Sequence, residues 1–122
     1  MKLRIKGNSI RIRLSRTEVN DLAHNGYIEE HTEFGDSALT YALQSKEGIT
    51  GLEAAFQNGK VTVYVPANVL PSWPNSETVG FDNNMPLPGG KQLYLLLEKD
   101  FKCIDNSMED QSDNYENPNS VC

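Results

Sequence analysis

Cysteine is almost missing from this chain. Cys103 and Cys122 are the only two, and both lie near the C-terminus. Without a C-x-x-C pair, neither a zinc ribbon nor a dithiol redox centre is written in the sequence. In a reducing compartment the two read as free thiols, although a bond closing their loop would contribute ~3 kcal/mol. Long apolar runs are also missing. The longest, Leu93 to Leu97, is far shorter than a membrane helix needs. Arg4, Lys6, Arg11 and Arg13 interrupt any apolar stretch at the N-terminus, which argues against a secretory signal. Cys122 lacks the context of a lipidation site. The cytoplasm is therefore the expected location, with no membrane partner. Basic residues are the minority sign, 11 against 17 acidic, and the net charge of −6 disfavours nucleic-acid binding by the surface as a whole. Nucleophile-elbow, P-loop, dinucleotide-binding and zincin motifs are all absent, so no catalytic residue, cofactor or enzymatic activity is assigned.

What the sequence does have is an internal repeat. Residues 1–14, MKLRIKGNSIRIRL, recur in pattern as residues 52–65, LEAAFQNGKVTVYV. Each reads as two alternating runs joined by a two-residue turn, Gly7-Asn8 in one and Asn58-Gly59 in the other. Met1, Leu3, Ile5, Ile10, Ile12 and Leu14 align with Leu52, Ala54, Phe56, Val61, Val63 and Val65. In the first hairpin the turn sets Ile5 opposite Ile10, Leu3 opposite Ile12 and Met1 opposite Leu14 on one face. Ser15 to Glu18 has capping-box spacing and predicts a helix from about Arg16, stopped at Gly26. Val19, Leu22 and Ala23 form its buried stripe. Tyr27 to Phe34 and Ser37 to Gln44 then flank a Gly35-Asp36 turn, with Ile28 opposite Leu43 and Thr32 opposite Leu39. Glu47-Gly48 breaks the chain between halves.

The second half repeats the plan. Pro66 opens a short helix kept short by Pro71 and Pro74, with Leu70 and Trp73 aligned to Val19 and Leu22. Val79 to Phe81 is matched with the strand beginning at Ile28. Gln92 to Lys99 is the last strand, in which Leu93, Leu95 and Leu97 match Leu39, Tyr41 and Leu43. The loop Asp82 to Gly90 is expected to hold three extra residues. The expected fold is an α+β domain over residues 1–101, built from a duplicated β-β-α-β-β unit (1–50 and 51–101). Its sheet is expected to be mostly antiparallel and curled or barrel-like, with two short helices. Leu3, Ile5, Ile10, Ile12 and Leu14 are expected to be buried with Phe56, Val61, Val63 and Val65.

Charge is concentrated at the two ends. Six of the eleven basic residues fall in the first sixteen. The outer face of the first hairpin pairs Arg4 with Arg11 and Lys2 with Arg13, and like charges directly opposite in a ladder are destabilising. Lys2, Arg4, Arg11 and Arg13 are thus the anion-binding candidates. Their partner is expected to be internal, either Glu29, Glu30 and Glu33 or the acidic tail. A phosphate-bearing small molecule is the second choice, and nucleic-acid backbone the least favoured. No aromatic residue interleaves these arginines to stack on bases. The tail, residues 102–122, carries Asp105, Glu109, Asp110, Asp113 and Glu116. Ile104, Met108, Tyr115 and Val121 are spaced along it as anchors, so it is expected to pack on the domain.

Weaker candidates are a zinc site from Cys103 and Cys122 with His24 or His31, and acid/base work by Glu29, His31 and Glu33 on one strand face. Asp110, Ser112 and Asn114 are spaced like the start of a calcium loop, but Tyr115 stands where that loop needs glycine. The strand face and the calcium-like spacing are better read as solvated surface and the cysteines as free thiols, and no metal is assigned.

The segments KGNSIRIRLSRTEV, HTEFGDS, EKDFKC and EDQSDNYENPN resemble those of a family of small uncharacterised bacterial proteins, over the whole chain. The resemblance implies no activity or cofactor, but it implies that the tail belongs to the protein. KGNSIRIRL and VTVYVPANVL are also similar to the strand-into-helix segments of swapped-hairpin antitoxin and transition-state regulators, which bind DNA as dimers. That similarity covers about ten residues per copy, and the net charge here has the opposite sign. The function expected is a small non-enzymatic binding or interaction domain whose basic face its own tail partly neutralises. The alternatives are binding or hydrolysis of a phosphorylated small molecule, and DNA-binding regulation.

Overall fold

A computed structural model of the chain describes residues 1–101. Eight strands run as hairpins: β1 (Lys2–Lys6) with β2 (Ser9–Leu14), β3 (Tyr27–Glu33) with β4 (Ala38–Lys46), β5 (Glu53–Gln57) with β6 (Lys60–Pro66), and β7 (Gly80–Pro86) with β8 (Gln92–Lys99). The helix α1 (Arg16–Asn25) links the first two hairpins. At the corresponding place in the second half stand two 3-10 turns, Ala67–Val69 and Trp73–Asn75, and a third, Pro88–Gly90, lies between β7 and β8.

Local chemistry accounts for these elements. At Gly7 the backbone takes a φ of 54°, and at Asn58-Gly59 both residues take positive values, 53° and 73°. These are the left-handed conformations that two-residue hairpin turns require. The Ser15 side chain accepts from the Glu18 N–H while the Glu18 carboxylate accepts from the Ser15 N–H at 2.8 Å, completing the capping box. Gly26, at φ 75°, closes the helix with its N–H on the Leu22 carbonyl. Prolines at 71 and 74 deny the second half an α-helix, and only 3-10 turns form there.

The hairpins do not close into a barrel. They form two separate four-stranded sheets, ordered β1-β2-β8-β7 and β3-β4-β6-β5. Both sheets are mixed. The seams β2–β8 and β4–β6 are parallel, and the other pairings are antiparallel. The expectation of one curled or barrel-like sheet is therefore corrected, although four of the six pairings are antiparallel. Turn chemistry specifies only antiparallel neighbours, whereas a parallel seam joins strands distant in sequence. Each sheet takes one hairpin from the first half and one from the second. Exchanging β1, β2, β3 and β4 with β5, β6, β7 and β8 converts the order of one sheet into that of the other. The exchange extends to side chains. Glu30 reaches the amino group of Met1 at 3.2 Å, and Asn83, at the matching place on β7, donates to the carbonyl of Leu52 at 2.8 Å.

Within hairpins the register is the expected one: Ile5 faces Ile10, Leu3 faces Ile12, Ile28 faces Leu43 and Thr32 faces Leu39. The loop assignment after Phe81 is corrected. β7 continues to Pro86, and its pairing of Phe81 with Leu97 corresponds to that of Ile28 with Leu43. Most of the extra length therefore precedes β7, in the 3-10 region, and not in the hairpin loop. Gly80 opens β7 because nothing larger fits: a Cβ there would lie 2.1 Å from the Leu97 carbonyl oxygen.

The core lies between the sheets. Ile12, Leu14, Leu95 and Leu97 from one sheet meet Leu43, Val63 and Val65 from the other. Val19 and Leu22 of α1, with Leu52, Leu70 and Trp73, join the same cluster. Ile5 and Phe56 depart from expectation. They are 58% and 68% exposed, while Leu3 and Ile10 are half-buried. Both sit beside hairpin turns, where the strands end before the facing sheet can cover them.

Candidate functional site

Alternation along β1 and β2 puts Lys2, Arg4, Arg11 and Arg13 on the outer face of their sheet, and the ladder sets Arg4 opposite Arg11 and Lys2 opposite Arg13. The structure brings all four together around a hollow of about 180 Å³, with Leu3 as the remaining lining residue. Their like charges are answered from β8, which lies parallel to β2 and aligns Glu98 with Arg13. One carboxylate oxygen of Glu98 accepts from Arg11 Nε at 2.7 Å and from Arg13 Nε at 3.1 Å. Just past β8, Asp100 lies 2.6 Å from Lys2 Nζ. The hydrogen bond from Lys2 is the main cause holding the Asp100 carboxyl below its usual pKa.

Of the two internal partners expected, the acidic tail with its anchors Ile104, Met108, Tyr115 and Val121 lies outside the described residues, and the carboxylates of β3 lie elsewhere. β3 belongs to the other sheet, so Glu29, Glu30 and Glu33 do not share this face. Glu30 instead joins Glu18 at the Met1 amino group, which both carboxylates contact. Burial works against charge on that amine, but its bonds to Glu18 and Glu30 win and raise its pKa. Glu98 and Asp100 were overlooked as partners because β8 enters the argument only through a parallel seam. A signal was present: the run Leu93 to Leu97 is more apolar than an edge strand, which fits the place of β8 between β2 and β7.

The matching face of the other sheet is differently built. Lys46 Nζ lies 3.4 Å from Glu53 and stacks over the Tyr64 ring at 4.9 Å, and Lys60 Nζ donates to Tyr27 Oη at 2.6 Å. On β3, His31 Nδ1 lies 2.9 Å from Thr40 Oγ1, and its Nε2 is 4.0 Å from Glu29. Glu29, His31 and Lys46 are exposed, whereas Tyr27, Glu53, Lys60 and Tyr64 are partly buried. His24 sits in the last turn of α1. Cys103, Cys122 and the calcium-like spacing at Asp110 lie outside the described residues. Among the described residues no three His, Cys, Asp or Glu side chains are grouped to hold a metal.

A second concavity was not foreseen. Between the sheets, at the hairpin-tip end, an open cleft of about 410 Å³ has an entirely apolar lining. Ile5, Ile10 and Leu93 come from one sheet and Leu39, Phe56 and Val61 from the other. The repeat contained the clue. Ile5 and Phe56 are aligned apolar residues next to turns, where side chains have little cover.

No helix among the described residues is long and apolar enough to cross a membrane. A family model matches the chain over residues 1–119, and it describes a family of unknown function, in agreement with the resemblance drawn from the sequence. No curated protein and no solved structure matches the chain.

Proposed function

This chain belongs to DUF7009, a family of unknown function, and from that premise we propose that it is a small non-enzymatic binding domain. Its basic face, Lys2, Arg4, Arg11 and Arg13, takes an anionic partner in competition with its own acidic tail. The observation that carries this reading is the contact of Lys2 with Asp100 at 2.6 Å. The chain leaves its last strand already touching the basic face. The residues that follow carry five carboxylates at 105, 109, 110, 113 and 116. A tethered segment competes at an effective concentration on the order of millimolar, so only a partner of matching charge density displaces it. Guanidinium forks favour carboxylate and phosphate oxygens in such a partner. The same reading takes the two halves as copies of one unit, supported by the exchangeable strand orders, and puts the protein in the cytoplasm.

In the full chain, Asp105, Asp110 and Asp113→Asn with Glu109 and Glu116→Gln removes the tail's charge while keeping its length. The variant is expected to elute from an anionic resin at clearly higher salt than the parent. Adding Lys2→Glu and Arg13→Glu should cancel the gain. Elution at unchanged salt, with unchanged amide shifts along β1 and β2, refutes the reading. The hollow between the four basic side chains supports a second reading, a site for the phosphate of a small molecule. Saturable shifts of the arginine Nε signals with inorganic phosphate would favour it. Duplex DNA is the least supported partner, since Glu98 stands among the arginines and the net charge is −6.

A further inference from the structure

We propose that the hollow among Lys2, Arg4, Arg11 and Arg13 is a site for a doubly charged phosphate group. This rests on the reading of the basic face as an anion site, and it names the anion. Charge is the first ground. Among the described residues, the four cations and the two carboxylates bound to them, Glu98 and Asp100, leave a charge of +2. Alternation puts Lys6 and Asp82 further out on the same face, where their opposite charges cancel. Asp82 also accepts from the Tyr94 hydroxyl at 3.0 Å. The amine of Met1 is already answered by Glu18 and Glu30. His24 lies in α1 and His31 in the other sheet. A phosphate monoester carries about −1.5 to −2 at neutral pH and so matches the hollow. A carboxylate, or a diester of a nucleic-acid backbone, brings one charge and leaves the hollow positive.

Geometry is the second ground. Glu98 is only 16% exposed and holds both guanidinium groups by Nε, at 2.7 Å for Arg11 and 3.1 Å for Arg13. It is a positioning residue, because a guanidinium fixed at Nε presents its remaining donors as a fork. Among the described residues the two Nη nitrogens of Arg13 have no acceptor. Lys2 stands opposite Arg13 and Arg4 opposite Arg11, so the donors converge from two strands. The three terminal oxygens of a phosphate accept from several sides at once, which a planar carboxylate does not. At about 180 Å³ the hollow has the bulk of roughly six waters. That is room for one phosphoryl group and the start of its ester, and not for a run of nucleotides.

The test titrates the full chain at about pH 8 with glycerol phosphate, inorganic phosphate, sulfate and dimethyl phosphate, followed by the arginine Nε signals. Glycerol phosphate is expected to shift Arg11 and Arg13 saturably. It should bind at least about tenfold more tightly than dimethyl phosphate, which has one charge and fewer terminal oxygens. Tighter binding of glycerol phosphate than of inorganic phosphate assigns the ligand as a monoester, and the reverse order as the free ion. At about pH 5 the ester is mostly singly charged, so its binding should weaken several-fold. Sulfate, doubly charged at both pH values, should not weaken. Arg13→Lys keeps the charge but not the fork, and should weaken glycerol phosphate by about tenfold. Glu98→Ala should weaken it too, although the face becomes more positive, and Glu98→Gln, which keeps an acceptor, should recover part of the loss. Three results overturn the proposal: equal binding of glycerol phosphate and dimethyl phosphate, undiminished binding by Arg13→Lys, or tighter binding by Glu98→Ala. The variant with the neutral tail separates this site from competition by the tail. Unchanged affinity there, with the preference for double charge kept, refutes the competition and leaves the site standing. Stronger retention on anionic resin, with no saturable shift by any phosphate, refutes the site and leaves the basic face standing.

Discussion

Trp73→Ala is expected to lower the free energy of unfolding by about 3–5 kcal/mol. Trp73 is the largest fully buried side chain of the described residues. Its ring meets Phe81 with centroids 5.1 Å apart and an interplanar angle of 59°, a tilted arrangement favourable to aromatic pairs. Its indole N–H donates to the Thr78 carbonyl at 2.9 Å. Alanine would thus leave a large cavity and also deprive Thr78 of its donor. The damage should extend to the entry of β7, because the segment from Trp73 to Val79 is what delivers Gly80 to its tight place against Leu97. Denaturant unfolding followed by circular dichroism measures the loss. Trp73→Phe, which keeps most of the volume and only removes the N–H, should lose distinctly less. Equal losses for both would show that the hydrogen bond, and not the packing, is what matters at this position.

For Ile12→Ala the expected loss is about 2–5 kcal/mol. Ile12 is 1% exposed. It is opposite Leu3 on β1 and aligned with Leu97 on β8, so it sits where the two hairpins of its sheet are joined. A cavity there removes contacts on both sides of the parallel seam as well as across to the other sheet. Ile12→Val, one methylene smaller, should lose only about 0.5–1.5 kcal/mol. A loss below about 1 kcal/mol for the alanine variant would be typical of an exposed position and would contradict the two-sheet packing.

The parts of this fold that could be read from the sequence are those fixed by neighbours in the chain. Gly7-Asn8 and Asn58-Gly59 set their hairpin registers residue for residue, and Ser15, Glu18 and Gly26 set both ends of α1. The alternation of Leu3, Ile5, Ile10 and Ile12 correctly gave the inward face. It could not tell that Ile5 stands clear of the core, because burial at a strand end depends on how far the facing sheet extends. Nor could it tell which hairpins join, since pairing between β2 and β8 is decided by packing over most of the chain's length. The candidate site followed the same division. Lys2, Arg4, Arg11 and Arg13 were legible as a cluster, from hairpin arithmetic alone. Glu98 and Asp100 could not be assigned as their partners from the apolar run before them, and Ile5 and Phe56 only hinted at the apolar cleft, for both features arise where separate hairpins meet.

The arrangement of the sheets has a consequence for the order in which the molecule is completed during synthesis. β3, β4, β5 and β6 are consecutive, so one entire sheet is available once residue 66 has emerged. The other sheet is divided between the two ends of the chain. The first hairpin to be made must wait, with the inner edge of β2 unpaired, until β8 is released at residue 99. An open edge beside an apolar face invites association with other chains. That waiting hairpin is also the most positively charged stretch of the protein. Mutual repulsion between nascent copies would keep such edges apart until the last strand arrives, and with it Glu98, which lies between Arg11 and Arg13 in the finished molecule.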